Sequence, residues 1–168
     1  IPDEAVATEH ADLEWLDAEA AARLMPLRPR DAHKGTMGHL LAVAGSRGKS
    51  GAAVILARAA LRSGVGLVTV ATPRGIQPMV AAAQSEIMTE PLAETRTGAL
   101  GRAAAVTALD LLATRDALAL GPGLGTESGT RAAVIALLGR CAVPAVLDAD
   151  GLNAFGADRR PRVGLHAG

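Results

Sequence analysis

Residues 39–73 read HLLAVAGSRGKSGAAVILARAALRSGVGLVTVATP. The run His39 to Ala44 is short and apolar, as a strand buried on both faces should be. A Gly-rich turn, Gly45-Ser46-Arg47-Gly48-Lys49-Ser50-Gly51, follows it. Ala52 to Ser63 has apolar positions on most faces of a helix, and Gly64 is placed to close it. Leu67 to Thr72 is rich in β-branched residues, and Pro73 stops it. Strand, Gly-rich turn, helix and strand in this order describe one crossover unit of a parallel sheet.

The same alternation continues downstream. A helix is expected over 75–84, a strand over Glu86–Thr89, a helix over Ala99–Ala113 and a strand over Asp116–Leu120. Gly121-Pro122-Gly123-Leu124-Gly125 comes next, then a helix over Glu127–Gly139 and a strand over Pro144–Leu147. Asp148-Ala149-Asp150-Gly151-Leu152-Asn153 ends the series. The class is therefore α/β: a mostly parallel sheet with helices on both faces. Ligands of such sheets bind beyond the carboxyl ends of the strands, where the loops at 45–51, 121–125 and 148–153 belong. Upstream, Asp17 is expected to cap a short helix through about Met25, with Pro26 and Pro29 ending it. Residues 1–31 read as a lead-in and 32–168 as the domain.

Composition narrows the function. The chain has 168 residues, 17 basic and 17 acidic side chains, and no net charge, which argues against a nucleic-acid partner. Uncharged stretches of roughly a dozen residues are too short for a membrane helix. One cysteine, Cys141, makes no internal disulfide and has no basic cluster to activate it. It reads as a small core residue, and a cytoplasmic setting is expected. Aromatics are 1% of the chain, Trp15 and Phe155 only, whereas alanine is roughly a fifth of it. Close packing of small side chains around glycine is the expected core.

Each loop carries a chemical possibility and a plain alternative. A Gly-rich turn at a helix start offers N–H groups to an anion. Gly48-Lys49-Ser50 is not a P-loop, because that spacing requires glycine at Val43; a tight turn with a solvated Lys49 is the alternative. Gly121, Gly123 and Gly125 permit positive φ and close backbone approach, or simply a tight turn. Asp148 and Asp150 could hold Mg²⁺ through water or orient a hydroxyl; alternatively Asp150 caps a helix starting near Leu152. Lys34 could reach a phosphate. His33 and His39 lack metal spacing, and His10 and His166 lie in the terminal segments.

Four stretches in order carry a family resemblance: His33-Lys34-Gly35 with Gly38, the run 45–73, ALALGPGLGTE at 117–127, and PAVLDADGLNAF at 144–155. Together they resemble the C-terminal dehydratase domain of NAD(P)H-hydrate repair proteins, which has a ribokinase-like fold. The resemblance implies ADP- or ATP-dependent dehydration of the S form of hydrated NADH or NADPH, with Mg²⁺. It places Ala52, Gly123 and Gly125 against the dinucleotide, and Asp148, Asp150 and Asn153 near the reacting centre. Lys34, Gly48 and Ser50 are implied as phosphate or supporting residues. The family's His-Pro-Gly-Glu segment, nucleotide-binding strand and Gly-Ser/Thr-Gly-Asp motif with the catalytic Asp are expected beyond Gly168. The chain is thus expected to be the first half of the domain, inactive alone and with an uncovered sheet edge. An epimerase domain before the lead-in and a homo-oligomer are further expectations. A ribokinase-like vitamin-precursor kinase and a non-catalytic nucleotide-binding module are the competing readings.

Overall fold

The computed structural model describes residues 16–25 and 29–156. They fall into two compact units, one ending at Arg30 and one starting at Asp31. In the first, helix α1 (Ala18–Leu24) begins where expected: the Asp17 carboxylate accepts from Ala20 N at 2.8 Å. Glu19 and Arg23 pair one turn apart at 2.9 Å on its exposed surface.

The second unit runs β1 (His39–Val43), α2 (Ser50–Arg62), β2 (Leu67–Pro73), α3 (Gln77–Ala83), β3 (Met88–Leu92), α4 (Ala104–Leu112), β4 (Ala117–Leu120), α5 (Ser128–Leu138), β5 (Ala145–Leu147) and α6 (Asp150–Asn153). The five strands form one parallel sheet in the order β3-β2-β1-β4-β5. His39 pairs with Leu67 and Leu40 with Ala117, so β1 lies at the centre.

Two expectations need correction. The third strand is Met88–Leu92, not Glu86–Thr89. Glu90 and Pro91 are poor strand formers, but β3 is the sheet edge, where a missing N–H is tolerated. Helix α4 starts at Ala104, not Ala99. Leu100 instead pairs antiparallel with Glu94, and Gly101 N donates to Ala93 O at 2.8 Å. Residues 93–101 thereby make a small turn with Gly98 at φ +81°. The C-terminal stop of α2 is as expected. Gly64 N donates to Leu61 O and Val65 N to Ala60 O, with Gly64 at φ +98°. That is a Schellman closure, which needs the left-handed conformation glycine adopts freely.

Strand alternation sorts the core into two layers. Ala42, Val68 and Val70 point at α2 and α3, where they meet Ala53, Ala57 and Val80. Leu41, Val43, Leu118 and Leu120 point at the other face and meet Ala104, Ala108, Val134 and Leu137 of α4 and α5. All of these are essentially inaccessible to solvent. Ala53 and Ala57 are four residues apart, so one face of α2 presents two methyl groups to the strands. The alanine-rich composition is the consequence of that close helix–sheet packing.

One part of the sheet is bare. The face of β4 and β5 on the α2 side is uncovered among the described residues. Ile55 and Val146 are 71% and 68% exposed there. A groove of about 650 Å³ runs along α2, lined by Leu40, Ala52, Leu56, Ala119, Val146 and Asp148. The outer edge of β5 pairs with no described strand. No described helix is long and apolar enough to cross a membrane.

Candidate dinucleotide site

The chain runs outward from β1 to β2 and β3, then returns to place β4 on the other side of β1. Loops leaving β1 and β4 therefore diverge above neighbouring strands, which opens a crevice at their carboxyl ends. The three Gly- and Asp-rich loops of the sequence all meet here.

The β1 loop is tied to the β4 loop by backbone groups. Gly45 N donates to Pro122 O at 2.8 Å, and the buried Ser46 hydroxyl donates to Gly123 O at 2.7 Å. Arg47 N donates to Gly98 O at 2.9 Å, which draws the 93–101 turn alongside. Sequence reasoning missed that turn. Its only local sign is Thr97-Gly98, and its partners Arg47 and Glu127 lie about fifty and thirty residues away. The Thr97 hydroxyl also donates to the Glu127 carboxylate at the start of α5.

The glycines divide by what a side chain would meet. A Cβ on Gly121 would lie 1.9 Å from Asp148 O, and one on Gly123 would lie 2.7 Å from the Ala52 Cβ. These two pack loop against loop. Gly48 and Gly51 have nothing within 4 Å of that position, and Gly125 has only Ala99 Cβ at 3.9 Å. These three border open space.

The β5 loop turns on Ala149, at φ 48° and ψ −119°. It is the only described non-glycine residue with positive φ. The Asp148 carboxylate accepts from Ala149 N at 2.7 Å, and Asp148 O accepts from Gly151 N at 2.9 Å. This turn aims Asp150 away from Asp148. Asp150 does not cap a helix starting at Leu152. It is the first residue of α6, and its carboxylate accepts from Gly125 N at 2.8 Å. Lys49 Nζ approaches the same oxygen at 3.4 Å, and Asn153 Nδ2 donates to the other at 3.2 Å. Desolvation raises the Asp150 pKa, but the Gly125 N–H, the Asn153 amide and the Lys49 ammonium outweigh it, so the carboxyl titrates below its usual range.

Ala52, Gly123, Gly125, Asp150 and Asn153 are thus brought together, with Gly48 and Ser50 at the start of α2 beside them. Asp148 stands exposed at the end of the groove. Lys34 is not brought here. Its carbonyl occupies the space a Cβ on Gly66 would fill, and Gly66 immediately precedes β2. That is the opposite end of the strands. Cys141 is half-buried and donates to Val143 O, away from the crevice.

The donor set of these residues does not suit a resident divalent ion. The Asp150 oxygens are taken by three donors, Asp148 holds its own loop, and no three His, Cys, Asp or Glu groups converge among the described residues.

Comparison with known proteins gives a consistent result. The chain is 47% identical, over 99% of its length, to the bifunctional NAD(P)H-hydrate repair enzyme of Moorella thermoacetica, of which it covers 31%. It is 33% identical to the ADP-dependent (S)-NAD(P)H-hydrate dehydratase of Lactiplantibacillus plantarum, a match that covers 87% of this chain and 50% of that protein. The crystal structure of ADP/ATP-dependent NAD(P)H-hydrate dehydratase from Bacillus subtilis, co-crystallised with ATP/Mg²⁺, superposes with a TM-score of 0.67 at 28% identity. That match covers 85% of this chain and 48% of the other. The chain thus spans just under a third of the Moorella relative and about half of the other two. Residues 40–163, which run from the second residue of β1 through α6 and include all three crevice loops, match the NAD(P)H-hydrate dehydratase family, and the chain belongs to it.

Proposed function

We propose that the protein containing this chain dehydrates the S form of hydrated NADH or NADPH, with ADP or ATP as phosphoryl donor, and that this chain supplies the dinucleotide side of the site. The observation that carries the reading is the crevice at the switch point, where Gly48, Gly51 and Gly125 leave open space beside Ala52. A dinucleotide is held there by close approach to small residues and backbone. Ala52 limits the depth of that wall, and a larger side chain displaces the ligand. Gly125 contributes space rather than a donor, because its N–H is held by Asp150.

Hydroxide is a poor leaving group from the hydrated ring. Phosphoryl transfer to that oxygen yields a phosphate ester, and the ring nitrogen lone pair expels phosphate. Loss of a proton from the adjacent ring carbon restores the double bond. Charge spread over the transferring phosphoryl group makes positioning and electrostatic stabilisation the main catalytic demands. The nucleotide-binding and catalytic Asp motifs belong to the part of the family fold not represented in residues 1–168. An epimerase domain preceding the lead-in is part of the proposal, supported by the bifunctional character of the Moorella relative.

The test uses the full-length protein with hydrated NADH, ADP or ATP, and Mg²⁺. Recovery of absorbance at the reduced-nicotinamide band is expected, with one phosphate released per dinucleotide. A phosphorylated product without recovery would make the protein a small-molecule kinase instead. Dinucleotide binding without turnover would make it a binding module.

A further inference from the structure

We infer that Asp150 and Lys49 form a clasp that positions the dinucleotide wall. Asp150 holds Gly125 by its N–H and Lys49 by its ammonium, so that the loops after β1, β4 and β5 move as one body. The role is one of positioning, not of contact with the reacting atoms, and it rests on the proposed function above.

Three observations lead to it. The two residues lie 101 positions apart, Lys49 at the end of the loop leaving β1 and Asp150 at the start of α6 after β5, with the β4 loop between them. The Gly-rich β4 loop has one side-chain anchor in the core, the fully buried Leu124; beyond it, Pro122 and Gly123 are held through their carbonyls by the β1 loop, and Gly125 through its N–H by Asp150. Gly125 has no Cβ, borders open space at φ +84°, and gives its N–H to Asp150. The Asp150 side chain is itself mostly buried, 18% exposed, and braced from behind by Asn153 at 3.2 Å. Lys49 is 52% exposed, and its Cβ and carbonyl pack where a Gly123 Cβ would lie. It therefore ties the start of α2, and with it Ala52, to the same carboxylate.

The alternative is that Asp150 acts directly, as a magnesium ligand or on the hydroxyl. The two roles differ in what each substitution should move. Asp150→Asn keeps an acceptor for Gly125 N–H but discards the charge facing Lys49; Asp150→Ala discards both. In the full-length protein, the clasp predicts that KM for hydrated NADPH rises about threefold in Asp150→Asn and more than tenfold in Asp150→Ala, while kcat falls far less. Lys49→Met should match Asp150→Asn, and the double variant should be no worse than either alone, because both remove one shared contact. The Mg²⁺ concentration giving half-maximal rate should not change.

A thousandfold loss of kcat with KM preserved in Asp150→Asn, or a shifted Mg²⁺ requirement, overturns the clasp. If the wild-type protein binds NADPH but does not dehydrate its hydrate, the proposed function fails and NADPH affinity by calorimetry takes the place of KM in the same comparison. Hydrogen exchange at the Gly125 amide needs no ligand at all. It should accelerate about tenfold or more in Asp150→Ala relative to amides of the central strands, and unchanged exchange overturns the inference.

Discussion

The two ends of the parallel sheet are built differently. At the amino end, side chains and backbone together close the gaps between strands. Asp116 accepts from His39 N at 2.7 Å, His39 Nε2 and the Thr69 hydroxyl lie 2.8 Å apart, and Lys34 O fills the space beside Gly66. At the carboxyl end, backbone ties are joined by the Ser46 and Thr72 hydroxyls and the Asp150 carboxylate, and Gly48, Gly51 and Gly125 leave room. A closed end needs only to be stable. The open end stays stable while withholding side chains from the crevice proposed for the dinucleotide, and it does so with loop–loop hydrogen bonds and one mostly buried carboxylate.

The largest test breaks both ends alike. A Cβ at Gly121 or at Gly66 lies 1.9 Å from a carbonyl oxygen, Asp148 O or Lys34 O. Gly121→Val and Gly66→Val should each lower unfolding free energy by about 3–5 kcal/mol, among the largest effects of single substitutions. Chemical denaturation measures both. They should part in ligand binding. Residual folded Gly66→Val retains its dinucleotide affinity, whereas Gly121→Val loses it because the β4 and β5 loops are forced apart. Equal affinity losses would show that the two ends are not independent.

A smaller effect isolates the crevice. Gly125→Ala meets only Ala99 at 3.9 Å but carries φ +84°, so about 1–2 kcal/mol of strain is expected. Dinucleotide affinity should drop more than that stability change accounts for, as calorimetry on the folded variant would reveal. In the opposite direction, Ala149→Gly relieves a residue held at φ 48° and ψ −119°. A net stabilisation of about 1 kcal/mol is expected, after the entropic cost glycine brings. No gain in melting temperature would argue that the turn is unstrained.

Titration separates the ends most gently. Desolvation first, and then Arg115, lower the His39 pKa against the opposing pull of Asp116. Neutral His39 is thus favoured in the folded state. Its contribution is complete above the unfolded value of about 6.5 and is lost as pH falls through the lower folded value. Asp150, also lowered, contributes above the ordinary carboxyl range and loses that contribution only in more acidic solution. His39→Gln should therefore flatten the stability profile just below neutrality. Asp150→Asn should flatten only the acidic limb. Urea midpoints across pH read both.

Much of the fold was legible in the chain. The β-branched run 67–72, the Gly64 stop and the apolar stretches 39–44 and 116–120 each carry their period locally, and each element appeared within a few residues of its expected bounds. The misses were tertiary. Strand β3 is admitted despite Pro91 because it lies at the edge, and 99–103 is withdrawn from α4 because Leu100 pairs with Glu94. In the crevice, three glycines of one loop look alike in sequence, yet Gly121 and Gly123 serve packing and only Gly125 borders open space. Asp148 and Asp150 also look interchangeable, and the Ala149 turn sends them apart.

By itself, then, the sequence determined the α/β alternation, the three Gly- and Asp-rich loops and the resemblance they carry, because periodicity, caps and turn residues act over a few positions. Only the tertiary structure decided that these loops meet at the β1/β4 switch point, that Lys34 lies at the other end, and that Asp150 directs its charge at Gly125 and Lys49. Those contacts join residues up to a hundred positions apart, and no local rule of backbone or side chain encodes which distant loop a folded strand end will face.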